Sequence, residues 1–299
     1  MPRFGRMTPM KTKTILASLL AAAVCGAAET STPAPSAEAE KPVVEQEDSF
    51  LDRYIDLSTE LAFYSAYVWR GQILFDRPVW QPAQNVFLKF GENAEYGALK
   101  MRFWANFAID GNKPPHRFGG MSIVDERVGY VKTFFDCLDF DVGAIFYQFP
   151  NRHSRGMRET DEAIAGVKWR NPYVTPSFYV WWDFDKNGHN DENALFFDFD
   201  FTHNFALTED LSLNVGSGFG VANGSYMDHY TRGGVDGVAF NYFHSDLGLW
   251  YKVLDNVKVG ASLTYFYNLS RQVRHSSYDM HEHYNAGILR GGVHLAVTW

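Results

Sequence analysis

The stretch Ile55-Asp56-Leu57-Ser58-Thr59-Glu60-Leu61-Ala62-Phe63-Tyr64-Ser65-Ala66-Tyr67-Val68-Trp69-Arg70 alternates with a period of two. Its odd positions carry Ile55, Leu57, Thr59, Leu61, Phe63, Ser65, Tyr67 and Trp69, while its even positions include Asp56, Ser58, Glu60 and Arg70. Successive side chains of an extended strand point to opposite faces, so the pattern predicts a strand with one greasy face and one wet face. The rule returns from Leu99 to Asp110, where Leu99, Met101, Phe103, Ala105, Phe107 and Ile109 oppose Lys100, Arg102, Asn106 and Asp110. It returns again in Leu195, Phe197, Phe199, Phe201 and Phe205 against Asp198, Asp200, Thr202 and Asn204. The final segment sets Leu289, Gly291, Val293, Leu295, Val297 and Trp299 against Arg290, His294 and Thr298.

Further strand candidates lie at 79–90, 123–135, 138–149, 160–170, 173–184, 211–221, 238–253 and 257–269, about twelve strands in all. The connections at 136–139, 171–172, 208–210 and 254–256 are tight and the one at 92–96 is short, whereas those in between are longer and polar. Short turns on one side and long loops on the other are the asymmetry of an outer-membrane β-barrel. An even strand count returns both ends of the barrel to the turn side. Strands of about ten residues are long enough to cross when tilted, and closure leaves no backbone edge unpaired in hydrocarbon. The fold class expected is therefore all-β, a transmembrane antiparallel up-and-down barrel of about twelve strands.

Composition agrees. The chain holds 25 Phe, 16 Tyr and 8 Trp without a second run of about 18 apolar residues that would make a membrane helix. Rings in that number suit an outer face and its two interfacial girdles. A secreted β-sandwich also alternates, but it would bury its apolar face and need no large aromatics on nearly every strand.

The basic residues Arg3, Arg6, Lys11 and Lys13, the apolar run from Ile15 to Val24 and the small residues Gly26, Ala27 and Ala28 read as a secretory signal peptide over 1–28. Cys25 is the rival site, as the lipid-bearing cysteine of a lipoprotein. Residues 29–54, rich in Ala, Pro, Ser and Glu, are expected to be a disordered periplasmic lead-in, and 55–299 the barrel. The net charge is -8, and the leader's four basic residues supply +4 of it, which leaves the remainder near -12. Nucleic acid is thus not an expected partner. Loss of the leader would leave Cys137 alone, so strands and packing rather than disulfides are expected to hold the mature chain.

The run Tyr64-Ser65-Ala66-Tyr67-Val68-Trp69-Arg70-Gly71, followed by Asp76-Arg77-Pro78-Val79-Trp80-Gln81-Pro82, resembles the first hairpin of the TorF-like family of bacterial porins. Tyr147-Gln148-Phe149-Pro150 and the run from Pro176 to Asp185 are similar to it too. The resemblance implies an outer-membrane barrel and supplies no catalytic residues.

The pore-lining candidates are Glu60, Arg70, Lys100, Arg102, Asp110, Asp198, Asp200 and Arg290, joined on the wet face by Asp56, Lys168 and Asp246. Opposed charges in a lumen would set a transverse field and screen ions; alternatively, a barrel this narrow is filled by its own paired side chains. The first loop, with Arg70, Asp76 and Arg77, is a candidate to fold inward. Asp183, Asp185 and Asn187 open a calcium-loop pattern that fails at Ala194, where a bidentate Glu belongs. His275, His281 and His283, with Asp279 and Glu282, share the last long loop without the spacing of a defined metal cage. A lipid-modifying enzyme would set Ser, His and an orienting Asn or acid on the lipid-facing rim; His203, His294 and Ser217 are tied by no motif, so no catalytic residue is assigned. No cofactor is expected. The expected partners are outer-membrane lipid and lipopolysaccharide, small solutes, and the barrel assembly machinery through an aromatic Trp299. The sequence favours a porin-like channel over an adhesion barrel acting through its loops.

Overall fold

The computed structural model describes residues 53–109, 112–113, 116–117, 120–150, 160–184, 193–230, 237–276 and 286–299. In chain order these form β1 (Ile55–Tyr64), β2 (Tyr67–Trp69), β3 (Gln72–Phe75), β4 (Val79–Lys89), β5 (Ala98–Ala108), β6 (Asn112–Lys113), β7 (His116–Arg117), β8 (Met121–Phe134) and β9 (Leu138–Gln148). There follow β10 (Thr160–Trp169), β11 (Thr175–Asp183), β12 (Ala194–Ala206), β13 (Leu211–Asn223), helix α1 (Gly224–Tyr230), β14 (Val238–Leu254), β15 (Val257–Asn268), helix α2 (Arg271–Ser276) and β16 (Gly287–Thr298). Twelve of the strands, all but the small hairpins β2–β3 and β6–β7, close into one antiparallel barrel in which β1 pairs with both β4 and β16.

The register shows why period two specifies the wall. Leu61 lies opposite Pro82 on one side and Leu295 on the other, while Glu60 lies opposite Ala83 and Ala296. Neighbours across each ladder therefore share a face, and one slip would turn the whole set over. Phe63, Phe103, Phe146, Trp182, Phe201, Leu247 and Leu289 stand exposed on the outside. Outward rings meet across strands: Phe63 stacks on Trp80 and Trp80 on Phe107 at 6.3 and 5.1 Å, and Phe199 stacks on Phe219 at 4.8 Å and meets Phe178 at a tilt at 4.6 Å. Moving one such side chain from water to an apolar medium gains roughly 1.5 to 3 kcal/mol. A belt of them on nearly every strand is the outer surface of a membrane barrel. Glu126 breaks the pattern, exposed on the outer face between Phe103 and Phe146.

The first strand is shorter than the expected 55–70. Its ladder ends where Ser65 N–H donates to the Gly291 carbonyl at 2.9 Å, and the chain then turns into the barrel as hairpin β2–β3. Tyr67, expected on the greasy outer face with Trp69, is buried with Val68, Ile73 and Phe75. Alternation reports that a strand has two unlike faces, not what each face meets, and this hairpin packs inside the lumen. Trp69 pairs with Gln72 across a two-residue turn, Arg70-Gly71, with φ of 47° and 79°.

The hairpin divides the loop-side half of the barrel into two cores. Val68 and Ile73 pack with Phe196, Tyr226, Met227, Tyr242, Phe266 and Val273; Tyr67 and Phe75 pack with Val79, Ile123, Ile145, Tyr147 and Ile164. In this half the inward residues meet protein rather than water. The turn-side half differs: a cavity of about 510 Å³ is lined by Lys168, Asp200, Asn204, Asn214, His244, Asp246, Trp250 and Ser262.

Cys137, in the β8–β9 turn, is disulfide-bonded in this chain. The expected lone Cys137 concerns the chain after loss of the leader, where Cys25 lies.

Candidate functional site

The lumen is lined by unlike charges on its two sides. On one wall, Lys100 Nζ on β5 donates to Asp141 Oδ2 at 3.3 Å, and Arg127 Nη2 on β8 donates to Asp141 Oδ1 at 2.6 Å. Arg102 stands directly opposite Arg127 in the register, which concentrates positive charge there. In the twelve-membered ring β5 faces β13, and the strands flanking β13 carry Asp198, Asp200 and Asp246.

The acidic wall depends on glycine. Gly216, Gly218 and Gly220 occupy the inward positions of β13. Because Gly218 has no side chain, Asp200 on β12 reaches over it to share a hydrogen bond with His244 Nε2 on β14 at 2.8 Å. Gly220 likewise lets the Tyr242 hydroxyl donate to Asp198 Oδ1 at 3.1 Å. His244 Nδ1 also meets Asp246. Two strands are thus cross-braced over a third, and Asp200, His244 and Asp246 line the cavity.

Where the hairpin meets the wall stands one charged pair. The Arg70 guanidinium donates from Nη1 to Glu162 Oε1 at 2.6 Å and from Nη2 to Glu162 Oε2 at 2.7 Å, a two-pronged match. Nη1 also donates to Tyr226 Oη at 3.2 Å, and the Tyr147 hydroxyl donates to Glu162 Oε2 at 2.9 Å. The side chains are 7% and 1% exposed. A charge so buried is tolerated only because its partner and its hydrogen bonds are in place.

Of the other candidates, Glu60 Oε1 lies 3.5 Å from His294 Nδ1, and His294 Nε2 shares a 2.8 Å hydrogen bond with Ser262. The Arg290 guanidinium lies over Tyr64 at 4.4 Å and over Phe266 at 5.3 Å. Asp56 accepts from Lys89 Nζ at 2.8 Å. Asp183 is committed inward: its Oδ2 accepts from Thr160 Oγ1 at 2.8 Å and Tyr230 Oη at 2.6 Å. Asp110, Asp185 and Asn187 lie outside the described residues, as do His281, His283, Asp279 and Glu282. His203 faces outward against Phe205, on the opposite face of the wall from His294. Sequence reading missed Glu162, His244, Arg127 and Asp141. Strand parity places each on an inward face once the register is known.

No family model matches the chain, and no curated protein does. Solved barrels do. An outer membrane channel from Pseudomonas putida F1 is similar with 10% identity and a TM-score of 0.49, over 88% of this chain and 100% of that one. The NanC porin aligns with 10% identity and a TM-score of 0.46, over 81% of this chain and 98% of that one. The KdgM porin aligns with 7% identity and a TM-score of 0.44, over 82% and 99%. The likeness is one of fold. The charges and the hairpin described above are properties of this chain's own residues.

Proposed function

We propose that this chain is an outer-membrane, porin-like channel through which ions or small hydrophilic solutes diffuse passively, constricted at its loop end by the inward hairpin β2–β3. The observation that carries this reading is the turn-side cavity of about 510 Å³ that lies against the acidic wall of Asp200 and Asp246. An interior meant only to be filled would close that space with side chains at the packing density of a core. On this reading residues 1–28 are the export leader, 29–54 a periplasmic lead-in, and Trp299 the residue offered to the assembly machinery; outer-membrane lipid and lipopolysaccharide surround the belt. The resemblance to TorF-like porins points to the same class.

Planar bilayers test it. Replacing 66–77 by a short Gly-Ser linker removes the hairpin, and single-channel conductance is expected to rise at least about threefold as the lumen widens. If neither the parent nor the hairpinless barrel conducts, the channel reading fails. Weakening the positive wall with the double variant Lys100→Ala, Arg102→Ala, which leaves Arg127 paired with Asp141, is expected to move the reversal potential in a salt gradient toward cation preference. An unmoved potential would mean that these residues do not face the permeating ions.

A second reading, an adhesion barrel acting through its loops, is favoured by the packed loop-side cores. It predicts silence in the same bilayers even without the hairpin.

A further inference from the structure

Most of the cage around Arg70 lies outside the segment that fills it, with Trp69 of the hairpin adding one more ring at 4.6 Å. Trp181 on β11 and Phe196 on β12 face the lumen, Tyr226 comes from α1, and the guanidinium carbon lies 4.9, 4.5 and 5.4 Å from their ring centroids. Glu162 on β10 meets the same guanidinium with both carboxylate oxygens. Its carboxylate is oriented in turn by the Tyr147 hydroxyl. Aromatic faces draw a flat cation, and a carboxylate in its plane receives two parallel N–H groups; together they select a guanidinium over a compact, strongly hydrated ion.

The occupant is poorly suited to its own backbone position. Arg70 is the first central residue of a two-residue hairpin turn with φ of 47°, where Asn or Gly fits without strain. Turn chemistry does not account for Arg there; the head group does.

We infer that the cage formed by Trp181, Phe196, Tyr226 and Glu162 is a binding site for guanidinium-type organic cations, which Arg70 fills as an internal stand-in. A guanidinium-bearing solute in the barrel then competes with the hairpin for the same seat. The binding step is independent of the channel reading; only the opening that follows displacement rests on it.

The test empties the cage without straining the turn. Arg70→Asn removes the guanidinium and places at the tip a residue that tolerates positive φ. The refolded barrel in micelles is titrated with guanidinium chloride against sodium chloride, at low-millimolar levels and constant ionic strength, and read by the change in tryptophan fluorescence, to which Trp69 and Trp181 in the cage contribute. In R70N the signal is expected to saturate with guanidinium at a midpoint about tenfold below that for sodium. The response should vanish in R70N/E162Q and be absent in the parent, whose tethered Arg70 holds the seat. Equal midpoints for the two ions, or a response that survives E162Q, would overturn the inference. Should R70N fail to fold alone, guanidinium present during refolding must restore its yield and not that of the double variant; no restoration counts against the site. Because the readout is fluorescence, a barrel that never conducts leaves this result standing.

Discussion

Replacing Glu162 by Ala is expected to cost roughly 3 to 5 kcal/mol of stability, the usual penalty for stranding one partner of a buried ion pair. Arg70 would keep only its bond to Tyr226 among the hydrogen bonds to its guanidinium described above, inside a dry aromatic surround. The chain has one escape short of unfolding: hairpin β2–β3 can leave the lumen and carry the charge to water, which gives up the packing of Val68, Ile73, Tyr67 and Phe75. Either route is measurable, the first as a lower urea midpoint and the second as a higher bilayer conductance. Exchanging both members for Leu removes the buried charge altogether and should be far milder, since it is the lone charge that is costly. A Glu162→Ala variant with the parent's midpoint and conductance would show that the pair does not hold the hairpin.

Gly218→Val is the second large effect, expected to destabilise by about 3 kcal/mol from overpacking together with loss of a charge-assisted bridge. A Cβ at this position would collide with Asp200 Oδ1 and the Phe199 carbonyl and sit 2.5 Å from His244 Nε2. The carbonyl is backbone and cannot rotate away, so the Asp200–His244 brace must open. Gly291→Ala is the matched control, because nothing lies within 4 Å of its added Cβ; its midpoint should match or exceed the parent's. Similar losses at both sites would mean that glycine is needed for general strand geometry and not for the brace.

The twelve wall strands are legible in the sequence because one face of each must meet hydrocarbon, and that demand repeats every second residue without regard to neighbours. The expected segments 79–90, 138–149 and 257–269 coincide with β4, β9 and β15 to within one residue. The first loop's candidacy to fold inward is met at Arg70 and not at the exposed Asp76 and Arg77, but the hairpin's own strands are not legible, since Tyr67 and Trp69 continue the same alternation after the wall strand has ended. Glu162 hides for a different reason. On β10 the inward set Thr160, Glu162, Ile164, Gly166 and Lys168 carries most of the polar side chains, but Asp161 on the outward side and Ile164 on the inward side blur the alternation, and nothing local marks Glu162 as the partner of a distant cation. Phe196 lies on the face that Asp198 and Asp200 mark as wet, and only the folded hairpin gives a ring there something to touch. The candidates of the charged walls could be named from parity; which of them pair could not, because pairing over Gly218 and across to Arg70 depends on register and on chain far away.

The pairing of β1 with β16 sets Ser58 beside Thr298 and Tyr64 beside Gly292. Every other seam of the ring joins strands that follow one another around it through short connections or loops, and can zip as the chain arrives. This one must bring together segments from opposite ends of the sheet, at the largest loop-closure cost in the molecule. Until it forms, two long strand edges stay unsatisfied and ready to join any other chain. Slow, escorted closure is therefore built into the topology, and dilution or shielding of those edges should decide how much of the protein reaches its ring before it aggregates.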